Sequence, residues 1–351
     1  MDDELRTWLL GTGATAEQIE QAESGGWLAL LALDRVLVPG SPRYDIEGLA
    51  DAAGADVATA RALWRALGFA DVPVGLEVFT DDDVEALRLA VHRVDGSWVS
   101  QPLEHQVRVL SSALARLAAV EAELIGEMVD AIAVRERDAA ATARVVVDEL
   151  DWPTFARLLD HVHRVQLRAA LWRRLVRDVV GEGSLAVGFS DLAGYTDLSE
   201  RLDGDALAAL LSRFEELAYD TVAEHGARVV KTIGDEVMYV GFAGQVVDVA
   251  LDLHLHVRAD PQLPAVRTGL AAGPLLARDG DYFGPVVNLA SRLTEGAAPG
   301  VVLAADTVHD LLAEQPGYAW RVRHAYPLRG MGTHDVYELT RAPAPPPAGE
   351  A

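Results

Sequence analysis

The chain has 351 residues, half of them hydrophobic, and its 54 acidic residues outnumber 30 basic ones to give a net charge of −24. Its length predicts two domains, and its acidity argues against nonspecific binding to nucleic acid or to anionic membranes. The absence of cysteine excludes disulfides and cysteine-based zinc sites, and it agrees with a cytoplasmic location. The amino terminus lacks the basic start of a secretory signal, and no apolar run reaches the roughly 18 residues of a membrane helix. We therefore expect no transmembrane segment.

Residues 1–160 predict an all-helical domain. Apolar residues recur there at spacings of three and four, and alanine and leucine are abundant. Thr80 precedes three aspartates, which is typical of a helix start because the hydroxyl caps the helix and the carboxylates face its positive end. The most regular patterns cover Val84–Val91, Val107–Ile132 and Ala139–Leu150.

Asp45–Phe69 has the pattern of a helix–turn–helix, with Gly54 in the turn. Its second helix offers only Arg61 and Arg65 as basic residues, and the N-terminal half is itself acidic. A DNA-binding helix needs a basic face. We therefore expect no nucleic-acid partner.

Residues 161–183 predict a basic linker or switch helix between two domains. The stretch from His161 to Arg177 carries five arginines and no acidic residue, with apolar residues at helical spacing. Gly181-Glu182-Gly183 predicts the end of this helix and the start of a new domain.

Residues 184–341 alternate between strand and helix patterns, which predicts an α/β (α+β) domain with helices packed on a mainly antiparallel sheet. The final residues, 342–351, are rich in proline and alanine and predict a disordered tail. The predicted strands are Ser184–Phe189, Arg228–Ile233, Glu236–Phe242, Ala265–Ala272, Val301–Ala304, Tyr318–Leu328 and Val336–Leu339, and the predicted helices are Asp205–Glu224, Gln245–Val257 and Val286–Thr294.

Two aspartates stand where predicted strands end. Asp191 closes an apolar strand and is followed by a turn through Gly194, Tyr195 and Thr196, which can present backbone N–H groups to a phosphate. Asp235 lies at the tip of a predicted hairpin. Either residue can equally be a capping or turn aspartate. Together they can hold a pair of metal ions for phosphoryl transfer.

Asn288 and Arg292 lie four residues apart on a predicted helix and therefore on one face of it. An amide beside a guanidinium can stabilise a negatively charged transition state. The alternative for such a pair is an ordinary solvated helix face.

From Ser184 to Leu339, these stretches resemble the catalytic signature of class III adenylate and guanylate cyclases in order and spacing. The resemblance implies that Asp191 and Asp235 bind two Mg²⁺ or Mn²⁺ ions per site and that Leu192 offers a backbone carbonyl to one of them. It implies that Asn288 positions the ribose of ATP and that Arg292 stabilises charge on the α-phosphate.

The resemblance also implies that Lys231 and Asp281 read the adenine base, the lysine at N1 and the aspartate at the 6-amino group. Guanylate cyclases of this family tend to carry Glu and Cys at these two positions. Lys231 is the only lysine of the chain, and its compact ammonium can address a single ring nitrogen where a planar guanidinium would not fit.

One position departs from the family pattern. Near the C-terminus the family often has a lysine that contacts phosphate, and this chain has Arg329 between Leu328 and Gly330. The arginine keeps the positive charge, but its side chain differs from lysine in length and shape.

The family builds each active site from two catalytic domains. Because this chain carries the full set of site residues once, the resemblance implies a homodimer.

The N-terminal half resembles the regulatory domain of pH-responsive actinobacterial adenylate cyclases. This implies an autoinhibitory domain and a linker that changes conformation, with an apolar pocket for a fatty acid or other lipid as a further expectation. Val107–Ile132 can line such a pocket or form a plain helical core.

His161 and His163 lie in the basic linker, where gaining a proton near neutral pH can shift the helix between two packings. The alternative is that both are plain solvated residues.

Two other functions stay open from the sequence. One is a guanylate cyclase or another nucleotidyl cyclase. The other is a ligand-sensing dimerisation module built on a degenerate cyclase fold, against which the complete residue set argues. The chain has no Gly-x-x-x-x-Gly-Lys motif, which excludes an ordinary P-loop kinase or ATPase.

Overall fold

The computed structural model describes residues 3–92, 103–180 and 185–343. The chain divides into two compact units, Met1–Leu167 and Arg168–Ala351. The expected helix end at Gly181-Glu182-Gly183 lies outside the described residues, as does nearly all of the expected tail at 342–351.

The described residues of the first unit form helices joined by turns and loops, as the sequence predicts, with an isolated bridge between Tyr44 and Phe79. None of the helices in the described parts of the chain is long and apolar enough to cross a membrane. The helices are α1 (Asp3–Gly11), α2 (Ala16–Gly25), α3 (Leu28–Leu37), α4 (Ile46–Ala53), α5 (Val57–Ala66), α6 (Asp81–His92), α7 (Leu103–Glu136), α8 (Ala139–Glu149) and the first part of α9 (Trp152–Val180).

Local sequence signals set several of these helix boundaries. Gly54 ends α4 in the left-handed conformation, with φ of 73°, which glycine adopts without a Cβ clash. Asp56 then caps α5 by accepting from the Thr59 N–H at 2.8 Å. At the start of α6, the Asp83 carboxylate accepts from the Thr80 N–H at 2.7 Å. The predicted helix pair and the predicted capping threonine are both present.

Helix α7 buries little of its apolar surface within one chain. Ile132 is the buried residue near its C-terminal end, and Met128 and Val129 pack beside it. Leu110 and Leu124, in contrast, are 56% and 61% exposed. Among the described residues, most of the apolar side chains of Val107–Ile132 are therefore only partly buried.

The second unit is built on a mixed sheet with the order β2-β3-β1-β4-β7-β9-β8, in which only the β4–β7 pair is parallel. The strands are β1 (Leu185–Leu192), β2 (Arg228–Ile233), β3 (Glu236–Phe242), β4 (Val266–Ala272), β7 (Val302–Ala305), β8 (Tyr318–Leu328) and β9 (Gly332–Arg341). The helices are α10 (Tyr195–Ser199), α11 (Gly204–Glu224), α12 (Ala243–Ala259), α13 (Pro285–Gly296) and α14 (Asp306–Leu312).

The expected α/β fold is confirmed, and the structure adds a two-stranded ribbon of β5 (Leu276–Arg278) and β6 (Asp281–Phe283). These strands, α10 and α14 were not predicted because each is too short to show a period. The last strand also begins earlier than predicted, at Gly332. Its first residues are mostly exposed and are not apolar, so they lack the apolar run that would predict a strand.

Alternate residues of β1 enter two different cores, as the twofold period of a strand requires. Ala186 and Leu192 face the core formed with α11, α12 and α14. Val187 and Phe189 face the core formed with α13. Asp191 and Leu192 therefore lie on a strand that is fixed on both faces.

Helix α13 lies very close to β4 because Gly269 has no side chain. A Cβ at this glycine would come within 2.3 Å of the Ala290 carbonyl oxygen and of the Thr294 nitrogen. Backbone atoms cannot move aside as a flexible side chain can. The glycine thus sets the position of the helix that carries Asn288 and Arg292.

Candidate active site

The two candidate metal-binding aspartates meet at one end of the central strands. Asp191 is the penultimate residue of β1, where it pairs with Glu236 of β3 on one side and with Arg267 of β4 on the other. Asp235 lies in the β2–β3 turn, and its backbone carbonyl accepts from the Leu192 N–H at 3.2 Å. The antiparallel β1–β3 register therefore brings together two carboxylates that are 44 positions apart in the sequence.

This end of the sheet has an excess of negative charge. Burial and a hydrogen bond to Asp191 raise the pKa of Asp235 to about 7. Burial and the charges of Asp191 and Glu295 raise the pKa of Glu236 to about 7. Carboxylates with raised pKa values are stabilised in their ionised form by a nearby cation.

Asp191 and Asp235 fit a divalent cation that takes its remaining ligands from water and substrate phosphates. The described residues contain no cluster of three or more His, Asp or Glu side chains that could hold a metal by themselves. Mg²⁺ commonly binds one or two carboxylates and completes its coordination with water and substrate phosphates. Asp191 and Asp235 supply the carboxylates of such a site.

Arg267 is the present partner of Asp191, and sequence analysis missed it. Its Nε donates to the Asp191 carboxylate at 2.7 Å, and Asp191 is only 8% exposed. The arginine sits in an ordinary strand pattern, so no local signal marks it. Only the β1–β4 register, which places Arg267 opposite Asp191, identifies it as part of the site.

The turn after β1 leads through Gly194 into the short helix α10. Gly194 is left-handed, with φ of 79°, and precedes α10. Gly194 and Thr196 are exposed, whereas Tyr195 packs against the core beneath. The loop follows Asp191 directly, so its backbone lies next to the paired carboxylates.

Lys231 and Asp281, the candidate base-reading residues, are in direct contact. The Lys231 Nζ donates to Asp281 Oδ2 at 2.5 Å. Lys231 lies on β2 beyond a β-bulge, and Asp281 is the first residue of β6. Both side chains are partly exposed, at 37% and 25%. The two residues are fifty positions apart in the sequence, and together they form one donor–acceptor pair. Because both are partly exposed, a base can reach the pair.

Asn288, Arg292 and Arg329 line a single cleft of about 420 Å³. The first two project from α13, and Arg329 comes from the β8–β9 turn. Arg292 is held by Glu295, whose two carboxylate oxygens accept from its Nη1 at 2.6 Å. Arg329, which stands where the family often has lysine, therefore adds a second cationic side chain to the cleft beside Arg292.

The structure brings the candidates together as three groups: the aspartate pair, the Lys231–Asp281 pair and the residues of the cleft. Neither Asp191 nor Asp235 lines the cleft that holds Asn288. His161 and His163 are exposed on α9 and belong to the first unit, apart from these groups.

Comparison with known proteins assigns the chain to a family. Residues 180–341 match the adenylate and guanylate cyclase catalytic domain, and residues 2–171 match the adenylate cyclase regulatory domain. An uncharacterised protein of Mycobacterium tuberculosis strain H37Rv is 37% identical over 324 residues, which are 90% of this chain and 84% of that protein.

Two further relatives carry functional names. An adenylate cyclase of Streptomyces coelicolor is 32% identical over 92% of each chain. A pH-sensitive adenylate cyclase of Mycobacterium tuberculosis strain CDC 1551 is 30% identical over 93% of this chain and 84% of its own length. The chain therefore belongs to the class III adenylate and guanylate cyclase family, among the members that join an adenylate cyclase regulatory domain to the catalytic domain.

Proposed function

We propose that this protein converts ATP to 3′,5′-cyclic AMP and pyrophosphate at active sites shared between two copies of the chain. The observation that carries the choice of nucleotide is the contact between Lys231 and Asp281. It presents one hydrogen-bond donor and one acceptor side by side at the surface of the catalytic unit.

The hydrogen-bonding groups of Lys231 and Asp281 complement those of adenine and mismatch those of guanine. Adenine has an acceptor at N1 and a donor at the 6-amino group, so Lys231 can donate to the first while Asp281 accepts from the second. Guanine presents a donor at N1 and an acceptor at O6, which would set donor against donor and acceptor against acceptor. A buried polar group left without a partner is costly, and that cost gives the selectivity.

In the proposed reaction, the ribose 3′-hydroxyl loses its proton to solvent, its oxygen attacks the α-phosphorus to form a new P–O bond, and the bond to pyrophosphate breaks. Asn288 orients the ribose, which keeps the attacking oxygen in line. Arg292 and Arg329 stabilise the charge that develops on the phosphates. When bound at Asp191 and Asp235, two Mg²⁺ or Mn²⁺ ions would supply positive charge beside the attacking and leaving oxygens.

Arg267 adds a further cation to this account. Its guanidinium is paired with the Asp191 carboxylate. A divalent cation competes for the same carboxylate, so the guanidinium becomes available to the triphosphate beside it. Arg267 thus acts as a phosphate-binding residue in the proposed complex.

The arrangement of the site supports a homodimer. The cleft with Asn288, Arg292 and Arg329 holds no candidate metal ligand, and an isologous dimer would place the aspartates of one copy against the cleft of the other. The apolar side chains that α7 exposes, among them Leu110 and Leu124, are suited to a second copy. They are also the surface on which a fatty acid would bind in the regulatory domain.

Base selectivity tests the proposed function. Changing Lys231→Glu together with Asp281→Cys should lower kcat/KM for ATP by roughly a hundredfold and raise the relative use of GTP. The measurement is production of cyclic nucleotide from ATP and from GTP by the full chain with Mn²⁺. Asp310→Cys, at an exposed carboxylate on α14 outside the pair, is the control. A double variant that kept full ATP preference would contradict the assignment, and wild-type protein that preferred GTP would favour a guanylate cyclase.

We further propose that the N-terminal domain inhibits the catalytic domain through α9 and that His161 and His163 make this inhibition pH-dependent. Both histidines are exposed on the basic part of α9, where the Asp160 carboxylate pairs with Arg164 at 2.8 Å. Unperturbed histidine titrates near pH 6.5. Gaining charge in a segment rich in arginine would favour a helix packing that keeps these residues in water.

Replacing both histidines by asparagine should therefore change the ratio of activity at pH 6 to activity at pH 8 by roughly threefold or more. The measurement is a pH–activity profile of the full chain. His324→Asn, an exposed histidine on β8, is the control and should leave the ratio unchanged. A double variant with the wild-type profile would rule out these two residues as the sensor.

A further inference from the structure

A second cavity lies at the opposite end of the sheet from the paired aspartates. Its volume is about 450 Å³, and it is enclosed by the C-terminal part of α9, the first residue of β1, the start of β2 and the end of β3. The β5–β6 ribbon forms a further wall through Gly280, Asp281 and Tyr282. Neither Asp191 nor Asn288 reaches this cavity, so it is distinct from the metal and ribose groups described above.

The walls of the cavity are mainly apolar. Small residues line one part of it, here called the slot: Ala227, Gly241 and Gly280. Trp172 of α9 and Tyr282 of β6 add two aromatic rings. Such a slot accommodates a flat apolar body, because aromatic side chains favour stacking on planar groups.

The charges that face the cavity are unbalanced. Arg228 lies 5.4 Å from the centre of the Tyr282 ring, and its buried Nε has no hydrogen-bond partner among the described residues. Arg173, on α9, has a lowered pKa because of burial and of the charge of Arg228. Arg174 also lines the cavity, so three guanidinium groups share one mainly apolar space, and each raises the free energy of the others' charged forms.

Of the described residues that line the cavity, one is acidic. Asp281 is the acidic residue that lines the cavity, but its carboxylate already accepts from Lys231 at 2.5 Å and from the Tyr282 N–H at 2.7 Å. Like charges in an apolar site call for an anion between them. Arginine binds a carboxylate through two parallel hydrogen bonds, and the free Nε of Arg228 is a donor suited to this geometry.

We propose that this cavity binds a small amphipathic carboxylate, with the acid group between Arg173 and Arg228 and a flat apolar body in the slot beside Tyr282. A ligand in this position touches both α9, which leads into the catalytic domain, and the strand that begins with Asp281. The site lies entirely in the second unit and is separate from any lipid site in the regulatory domain.

The proposal is tested by isothermal titration of the full chain with 2-naphthoate, whose rings and acid group match the slot and the arginines. We expect one saturable site per chain and at least tenfold weaker binding in Arg228→Met and in Arg173→Met. Arg168→Met, on the same helix but outside the cavity, should bind within twofold of wild type. The neutral analogue 2-naphthamide should bind at least tenfold more weakly than the acid.

A second variant keeps the test independent of the stability of the arginine variants. Ala277→Leu keeps the guanidinium groups and adds bulk at an exposed residue that lines the cavity, so it should also weaken binding at least tenfold. Equal affinity in Arg228→Met, Ala277→Leu and Arg168→Met would overturn the proposal, as would the absence of saturable binding to wild type. Displacement of the probe by ATP with unchanged affinity in these variants would place it in the nucleotide site and would equally overturn it.

Discussion

Asp235→Asn and Asp191→Asn should each lower cyclic AMP production from ATP by roughly a hundredfold or more, because each removes a charged oxygen ligand of a hard cation next to the reacting phosphate. The two substitutions keep the size of the side chain, so the loss would reflect charge and ligation. The measurement is the rate with saturating ATP and Mn²⁺. Asp310→Asn, an exposed carboxylate on α14, is the control and should retain wild-type activity.

The same two variants should differ in stability, which separates the metal site from a purely structural role. Asp235 is destabilised as a carboxylate, since burial and Asp191 raise its pKa from 3.8 to about 7. A raised pKa in the folded state means that stability is lost as pH rises from the unfolded value through about 7. At pH 8, without divalent cation, Asp235→Asn should therefore unfold at a higher temperature than wild type, and this gain should disappear near pH 4.

Asp191→Asn should behave in the opposite way. Asp191 is the partner of Arg267, and removing one member of a partly buried ion pair leaves the other without compensation. Its unfolding temperature should fall at pH 8. Substantial activity in both aspartate variants, or a normal rise in unfolding temperature with Mn²⁺ and ATP in both, would contradict the proposed two-metal site.

Much of the site was predictable from local sequence signals. Asp191 and Asp235 each follow an apolar strand, and Asn288 and Arg292 have the i, i+4 spacing that puts them on one helix face. These signals are local because strand ends and helix faces are set by periodicity. The family resemblance implied that Lys231 and Asp281 read one base, and the structure shows the two side chains in contact.

Other parts of the site depend on long-range structure and had no local signal. Arg267 belongs to the site only through the register that sets it opposite Asp191. The β5–β6 ribbon, which presents Asp281, is too short to show alternation. The cavity beside Arg228 exists because α9 closes over the ends of three strands, which no single stretch of sequence can indicate.

The central claim is that each active site is made from two copies of the chain, and subunit mixing tests it most directly. Asp191→Asn removes a metal ligand, and Asn288→Ala removes the ribose-positioning amide. If these groups serve one site from different copies, a mixed dimer has one site with both lesions and one site with neither. The mixture can then regain activity that neither variant has alone.

The measurement is cyclic AMP production by a mixture of equal amounts of the two inactive variants after subunit exchange. Random pairing makes about half of the dimers mixed, and each has one intact site of two, so activity should return to about a quarter of the wild-type value. Subunit exchange is verified with differently tagged chains. Activity that stayed at the level of the separate variants despite verified exchange would show that each site lies within one chain, and it would contradict the shared-site enzyme proposed here.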